Sequence, residues 1–137
     1  RMAAINHNIF VSPEMTPGTD GAHYVAIDDS VVRGTNVPVA KQKAERRGFR
    51  MRQLLLYTPI LGGYEDGMNL GCDHGIDMPR DDAFIASRVG REPSKIADEL
   101  GIDYVGFLSI KGLVNVFERR GIYKELLCFE CVRPGNF

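Results

Sequence analysis

The sequence predicts an α/β domain built on a short parallel sheet, and three features predict it. Tyr24 to Ile27 form a continuously apolar run that stops on two adjacent carboxylates, Asp28 and Asp29. That is the profile of a short strand buried on both faces of a parallel sheet and ended where charge can no longer be buried. A helical pattern from Asn36 to Gly48 follows, and a second apolar run, Met51 to Thr58, comes after it. Strand, helix and strand in that order make a right-handed crossover unit. Its Asp28 to Asn36 loop lies at the carboxyl end of the sheet, where open α/β sheets bind ligands.

Bulk properties bound the rest. A chain of 137 residues, 44% apolar and 26% charged, suits one domain with its own core. A formal net charge of -1 gives no general attraction for nucleic acid or anionic lipid, so phosphate recognition has to be local to a loop. The apolar stretches are too short to cross a bilayer and the first residues lack signal-peptide architecture, so the expected compartment is the cytoplasm. Three cysteines are an odd number, which argues against a disulfide framework and brings a metal or cluster into view.

Residues 1–21, with two prolines, two glycines and little periodicity, read as a loop leading into the Tyr24 strand, and His7 and His23 read as structural. After the strand, Ser30 and Thr35 offer hydroxyls, Gly34 permits close backbone approach, and Asn36 with Val37 and Pro38 forms a helix cap and first turn. Successive N–H groups at such a helix start suit a phosphate. An anion loop beside a carboxylate pair fits a ribose 5-phosphate. Asp28 and Asp29 accept from the 2- and 3-hydroxyls or hold magnesium, while Ser30, Val31, Val32, Arg33, Gly34, Thr35 and Asn36 wrap the phosphate. In the helix Val37, Ala40 and Ala44, with Val39 beside them, face inward, Lys41, Lys43, Glu45, Arg46 and Arg47 face water, and Gly48 stops it.

Met51 to Thr58 is the second strand, and Pro59 to Arg80 is a long glycine-rich loop carrying Cys72. Asp82 to Arg88 makes a short helix. Beyond Pro93, Ser94 caps a helix through Leu100 with Ile96, Ala97 and Leu100 on one face, and Gly101 ends it. Ile102 to Leu108 is a third strand, and Ser109 opens a helix that turns Leu113, Val114 and Phe117 toward the core. Cys128 and Cys131 form a CxxC near the chain end.

Several of these stretches carry a family resemblance. Tyr24 to Asn36, YVAIDDSVVRGTN, resembles the ribose-phosphate signature of type I phosphoribosyltransferases, and IDDSVVRGTN is similar to the version in glutamine phosphoribosylpyrophosphate amidotransferases. Thr58 and Pro59, a loop, then Cys72 to Asp77 (CDHGID) resemble that family's Ser-Pro, loop, Cys-x-x-Gly-Ile-Asp order, although the loop here is longer. The FIA of residues 84–86 is similar to its LIA, and DYVGFLSIKGL (103–113) to its D-x-L-x-Y-L-S-x-x-G-L. The opening RMAAIN resembles the segment that follows the family's mobile catalytic loop.

The resemblance implies a partial type I phosphoribosyltransferase fold: a short parallel sheet flanked by helices with a cysteine-clamped C-terminus. Residues 1–137 would be one domain, the C-terminal part of a longer enzyme. The implied reaction joins ammonia from glutamine to 5-phosphoribosyl pyrophosphate, giving phosphoribosylamine for purine synthesis. Asp28 and Asp29 would bind the ribose hydroxyls and magnesium, and Ser30 to Asn36 the 5-phosphate. Cys72, Cys128 and Cys131 match three of the four ligands of a 4Fe-4S cluster in the iron-sulfur form, the fourth lying upstream. A four-iron cluster takes four thiolates, and cysteines from separate segments staple them together. A zinc site recruiting His74, a redox dithiol, or reduced cysteines in a loop are the other readings of these residues.

The family's glutaminase domain, pyrophosphate loop and mobile loop have no counterpart in these residues, so the chain is expected to be inactive alone. Its expected partner is the missing N-terminal part of a homo-oligomeric enzyme. Two other functions fit the same residues: a non-catalytic module binding a phosphoribosyl group or purine nucleotide, and a cluster-stabilised structural domain.

Overall fold

The computed structural model describes residues 14, 16, 22–64, 72, 83–129 and 131–132. Strand β1 is Ala22–Asp28, helix α1 Asn36–Glu45, strand β2 Phe49–Leu56, helix α2 Ile85–Val89 and helix α3 Pro93–Leu100. Strand β3, Tyr104–Phe107, helix α4, Ile110–Glu118, and a 3-10 turn at Lys124–Leu126 complete the order. The three strands pair in the order β1-β2-β3 and all run parallel. The α/β architecture with a short parallel sheet is therefore the one the sequence predicts.

One face of that sheet is the core. Tyr24, Ala26, Met51, Leu54, Leu56 and Val105 meet Val37 of α1, Ile85 and Ala86 of α2, and Ile96, Ala97 and Leu100 of α3. Two successive crossovers of the same hand, moving in the same direction along the sheet, put their helices on the same side. Among the described residues the opposite face is largely exposed, and this corrects the expectation that the first strand is buried on both faces. Val25 is 47% exposed, Ile27 61% and Tyr104 52%, with Leu55 beside them. The apolar run of β1 is continuous in sequence, yet only its alternate members are inside.

The second strand is not a simple alternation either. Phe49, Met51, Leu54 and Leu56 are all buried, although Met51 and Leu54 are three residues apart. A bulge reconciles them: Tyr24 pairs with Met51 but Val25 with Gln53, so Arg52 is the extra residue and the alternation changes phase there. The bulge is tied to the start of β3. Asp103 N–H donates to the Arg52 carbonyl at 2.9 Å, and the two side chains form an ion pair.

Helix ends follow local chemistry. In α4 the Ser109 hydroxyl accepts the Gly112 N–H at 3.0 Å, the side-chain cap the sequence predicts for that helix. Helix α3 begins at Pro93 rather than being capped by Ser94. Proline's fixed φ suits the first helical position, and Lys95 reaches back to Glu92 at 2.9 Å. Gly101 ends it in the left-handed region at φ 65°. Of the short helix predicted for Asp82 to Arg88, Asp82 lies outside the described residues, and the helix itself starts at Ile85.

A second, smaller apolar cluster joins distant parts of the chain. Leu61 and Phe84 pack with Val132, while Val32, Phe129 and Cys131 lie against them. Among the described residues the C-terminal segment is thus docked by hydrophobic contact. Its loop partner is shaped by Gly62, whose φ is +66° and whose position would set a Cβ 2.3 Å from Phe84 Cγ. Arg91 fixes the same loop, donating to the carbonyls of Ile60, at 3.2 Å, and Gly62, and stacking 4.3 Å from the Tyr64 ring centre.

Replacing Gly62 with alanine adds both left-handed strain and overlap with Phe84, a loss of about 2 kcal/mol or more. Urea unfolding of Gly62→Ala is expected to show a clearly lowered midpoint, and an unchanged midpoint would contradict this packing.

Candidate functional site

The sheet continues past its formal ends at the point where the carboxylates stand. Tyr57 N–H donates to the Asp28 carbonyl at 3.2 Å and Thr58 N–H to the Asp29 carbonyl at 3.1 Å. These bonds hold both backbone positions against β2 while the side chains leave the core. Asp28 Oδ1 accepts the Asp29 N–H at 2.9 Å, and the Ser30 hydroxyl lies 3.3 Å from Asp29 Oδ2 as its donor. The Thr58 hydroxyl beside them is buried without a hydrogen-bond partner.

Partial burial is the main cause that raises the Asp28 carboxyl above its ordinary value of 3.8. A side-chain hydrogen bond with Asp29 adds to the rise, the Asp29 N–H opposes it, and the neighbouring negative charge adds a further increment. Two carboxylates facing one region of solvent repel each other, and a cation or a pair of hydroxyl donors relieves that repulsion.

The loop beyond them divides its residues between structure and site. Val31 is buried in the main core and Val32 is half-buried against the second cluster, so their side chains anchor the loop and their backbone is what they offer a ligand. Helix α2 supports the loop from behind: Ile85 N–H donates to the Val32 carbonyl at 2.8 Å, and Arg88 Nη2 to the Arg33 carbonyl at 3.2 Å. Gly34, at φ +76°, lies flat on α2 and α3, where a Cβ would come within 2.8 Å of Ile85 Cδ1. Thr35 is the N-cap of α1 but makes no side-chain cap bond, and it is exposed together with Asn36.

The sequence-predicted residues Asp28 to Asn36 are thus brought together at one corner of the sheet. Sequence reasoning missed their supports, Thr58, Ile85 and Arg88. The FIA stretch marked the position of Ile85, but nothing in the sequence showed that a guanidinium four residues later reaches the Arg33 carbonyl.

Magnesium takes hard oxygen donors, commonly one or two carboxylates completed by water and substrate phosphates. Asp28 and Asp29 are donors of that kind and fit it. The cysteines differ. Cys128 is exposed, Cys72 and Cys131 are half-buried, and none is in a disulfide. Among the described residues no group of three or more His, Cys, Asp or Glu side chains is placed to hold a metal ion, so the three thiols do not form a cage in this geometry. Nor is any helix among the described residues long and apolar enough to cross a membrane.

Comparison with known proteins bears on the same stretch. The amidophosphoribosyltransferase of Methanothermobacter thermautotrophicus is 32% identical over 82% of this chain, and that of Methanocaldococcus jannaschii 31% identical over 82%. The Bacillus subtilis amidophosphoribosyltransferase is 28% identical over a similar share. The chain is similar to one part of these amidophosphoribosyltransferases. It spans about a fifth of their length, 21% in each of these three. No protein-family model matches it. The short parallel sheet with its helices agrees with part of a type I phosphoribosyltransferase fold.

The raised Asp28 value has a definite sign. Ionising this carboxyl costs the folded state, so the stability tied to its neutral form is complete below 3.8 and is lost as pH rises through the folded value. Asp28→Asn is therefore expected to raise the melting temperature of the ligand-free chain at pH 7 by a small margin, and to lose that advantage in acid. A melting temperature lowered at pH 7 would contradict the assignment.

Proposed function

We propose that this chain binds 5-phosphoribosyl pyrophosphate as the C-terminal part of the transferase domain of an amidophosphoribosyltransferase, whose product is phosphoribosylamine made with glutamine-derived ammonia. The observation that carries the reading is one juxtaposition. Two carboxylates at the end of β1 adjoin a loop whose backbone is supported from behind by α2.

In this reading Asp28 and Asp29 accept the ribose hydroxyls, and the N–H groups of residues 30–36 receive the 5-phosphate. Displacement at an anomeric carbon develops positive charge on the ribose. Fixed carboxylates nearby stabilise that charge with little reorganisation. Asp28 and Asp29 would hold magnesium, which when bound would supply positive charge to neutralise the leaving pyrophosphate.

The chain works with the remainder of a longer enzyme. Its parallel sheet has Val25, Ile27, Leu55, Tyr57 and Tyr104 exposed on one side, whereas parallel sheets are ordinarily covered on both faces. In this reading an N-terminal part of the longer enzyme would cover that face, and the one-fifth span of the relatives agrees with it. Cys72, Cys128 and Cys131, which the described geometry does not gather, are proposed as iron-sulfur ligands on their spacing and the family resemblance alone; a cluster would have to draw them together with a fourth thiolate from outside these residues.

Calorimetric titration with 5-phosphoribosyl pyrophosphate and magnesium tests the reading. Saturable binding is expected, weakened at least about tenfold in Asp28→Ala/Asp29→Ala. Unchanged binding in that variant would overturn the placement of the site. Tighter binding of AMP, unaffected by magnesium, would assign the loop to nucleotide sensing instead. Iron and acid-labile sulfide measured on protein purified without oxygen test the cysteines. Iron lost in Cys128→Ser is the expected result, and iron-free protein would remove the cluster from the account.

A further inference from the structure

We propose that Arg88 is a positioning residue for the phosphate loop: it fixes the Arg33–Gly34 peptide so that the Gly34 N–H faces the 5-phosphate. The proposal rests on the phosphoribosyl-binding reading above.

Three contacts define the position of its guanidinium. Nη2 donates to the Arg33 carbonyl at 3.2 Å, Nη1 donates to the Ala83 carbonyl at 3.3 Å, and Nη2 lies 3.5 Å from Glu99 Oε1 on α3. One planar group therefore spans the loop, the entry to α2 and the neighbouring helix. Arginine suits this place because its donors sit in a rigid fork and stay charged at all working pH values.

The consequence for the loop follows from peptide geometry. In a trans peptide the C=O and N–H point in opposite directions, and no described peptide is cis. Pinning the Arg33 carbonyl toward Arg88 therefore directs the Gly34 N–H away from α2. The Val32 carbonyl is held toward the same helix by the Ile85 N–H at 2.8 Å, so two successive peptides are oriented by one buttress. N–H groups turned in succession to one side form an anion-binding nest.

Gly34 is required by the same arrangement. Its left-handed φ and its contact with Ile85 and Leu100 leave no room for a side chain. With both carbonyls and the α-carbon of this segment in contact with α2 or α3, the loop needs little reorganisation to receive a phosphate. Losing Arg88 frees one peptide to rotate. The side chain is 40% exposed, so its removal leaves no large cavity.

The test compares the wild-type chain with Arg88→Ala and Arg88→Lys, using ribose 5-phosphate as probe and the Gly34 amide resonance as an internal reporter. Arg88→Ala is expected to bind ribose 5-phosphate about tenfold more weakly. The Gly34 amide of the free protein should also shift and exchange faster. Arg88→Lys, which keeps one donor for the Arg33 carbonyl, should recover part of both effects. Wild-type affinity together with an unmoved Gly34 amide in Arg88→Ala would overturn the proposal. If wild-type protein does not bind ribose 5-phosphate, the phosphoribosyl reading fails. The Gly34 amide then decides the buttress alone: moved in Arg88→Ala supports it, unmoved overturns it.

Discussion

The structure depends on the way β1 and β2 stay paired beyond their last regular residues. The Tyr57 and Thr58 N–H groups hold the carbonyls of Asp28 and Asp29 after the strands have formally ended. Without them the two carboxylates would sit on a free loop tip, at a large conformational cost for any ligand that needs both at once. With them, the backbone of the pair is as fixed as the sheet. The apolar contacts of Leu54, Leu56 and Val105 beneath hold the sheet in turn.

The site also costs the fold something. A partly buried carboxyl next to another carboxyl is destabilising, and Asp28 carries the signature in its raised pKa. Gly34 is an unfavourable residue to order, yet only glycine fits between Ile85 and Leu100 at that φ. Such local conflicts are expected where residues are kept for binding rather than stability. They are offset by the anchoring of Val31 and Val32 in two separate apolar clusters, so the loop carries its own core contacts on either side of its exposed backbone.

Much of this was legible in the sequence because it depends on local chemistry. The abrupt change from YVAI to two aspartates marks the carboxyl end of β1, and Ser109 and Gly101 mark helix ends that the structure confirms. What was not legible depends on tertiary arrangement. An apolar run does not say how many faces are covered, so Val25 and Ile27 read as buried although no described helix lies over them. The Arg52 bulge is invisible because its cause is the register against Tyr24 and Val25. Arg88 reads as an ordinary surface cation at the end of a short helix until the Arg33 carbonyl is placed beside it. Cysteine spacing, by contrast, is plain in the sequence, whereas the described geometry gathers no metal-holding group from it.

The most direct measurement is a crystal structure of the chain with 5-phosphoribosyl pyrophosphate and magnesium. The account predicts the 5-phosphate on the backbone N–H groups of residues 30–36, including Gly34, with the ribose hydroxyls and metal at Asp28 and Asp29. Ligand density elsewhere, or a phosphate held by side chains with the loop backbone turned away, would contradict it.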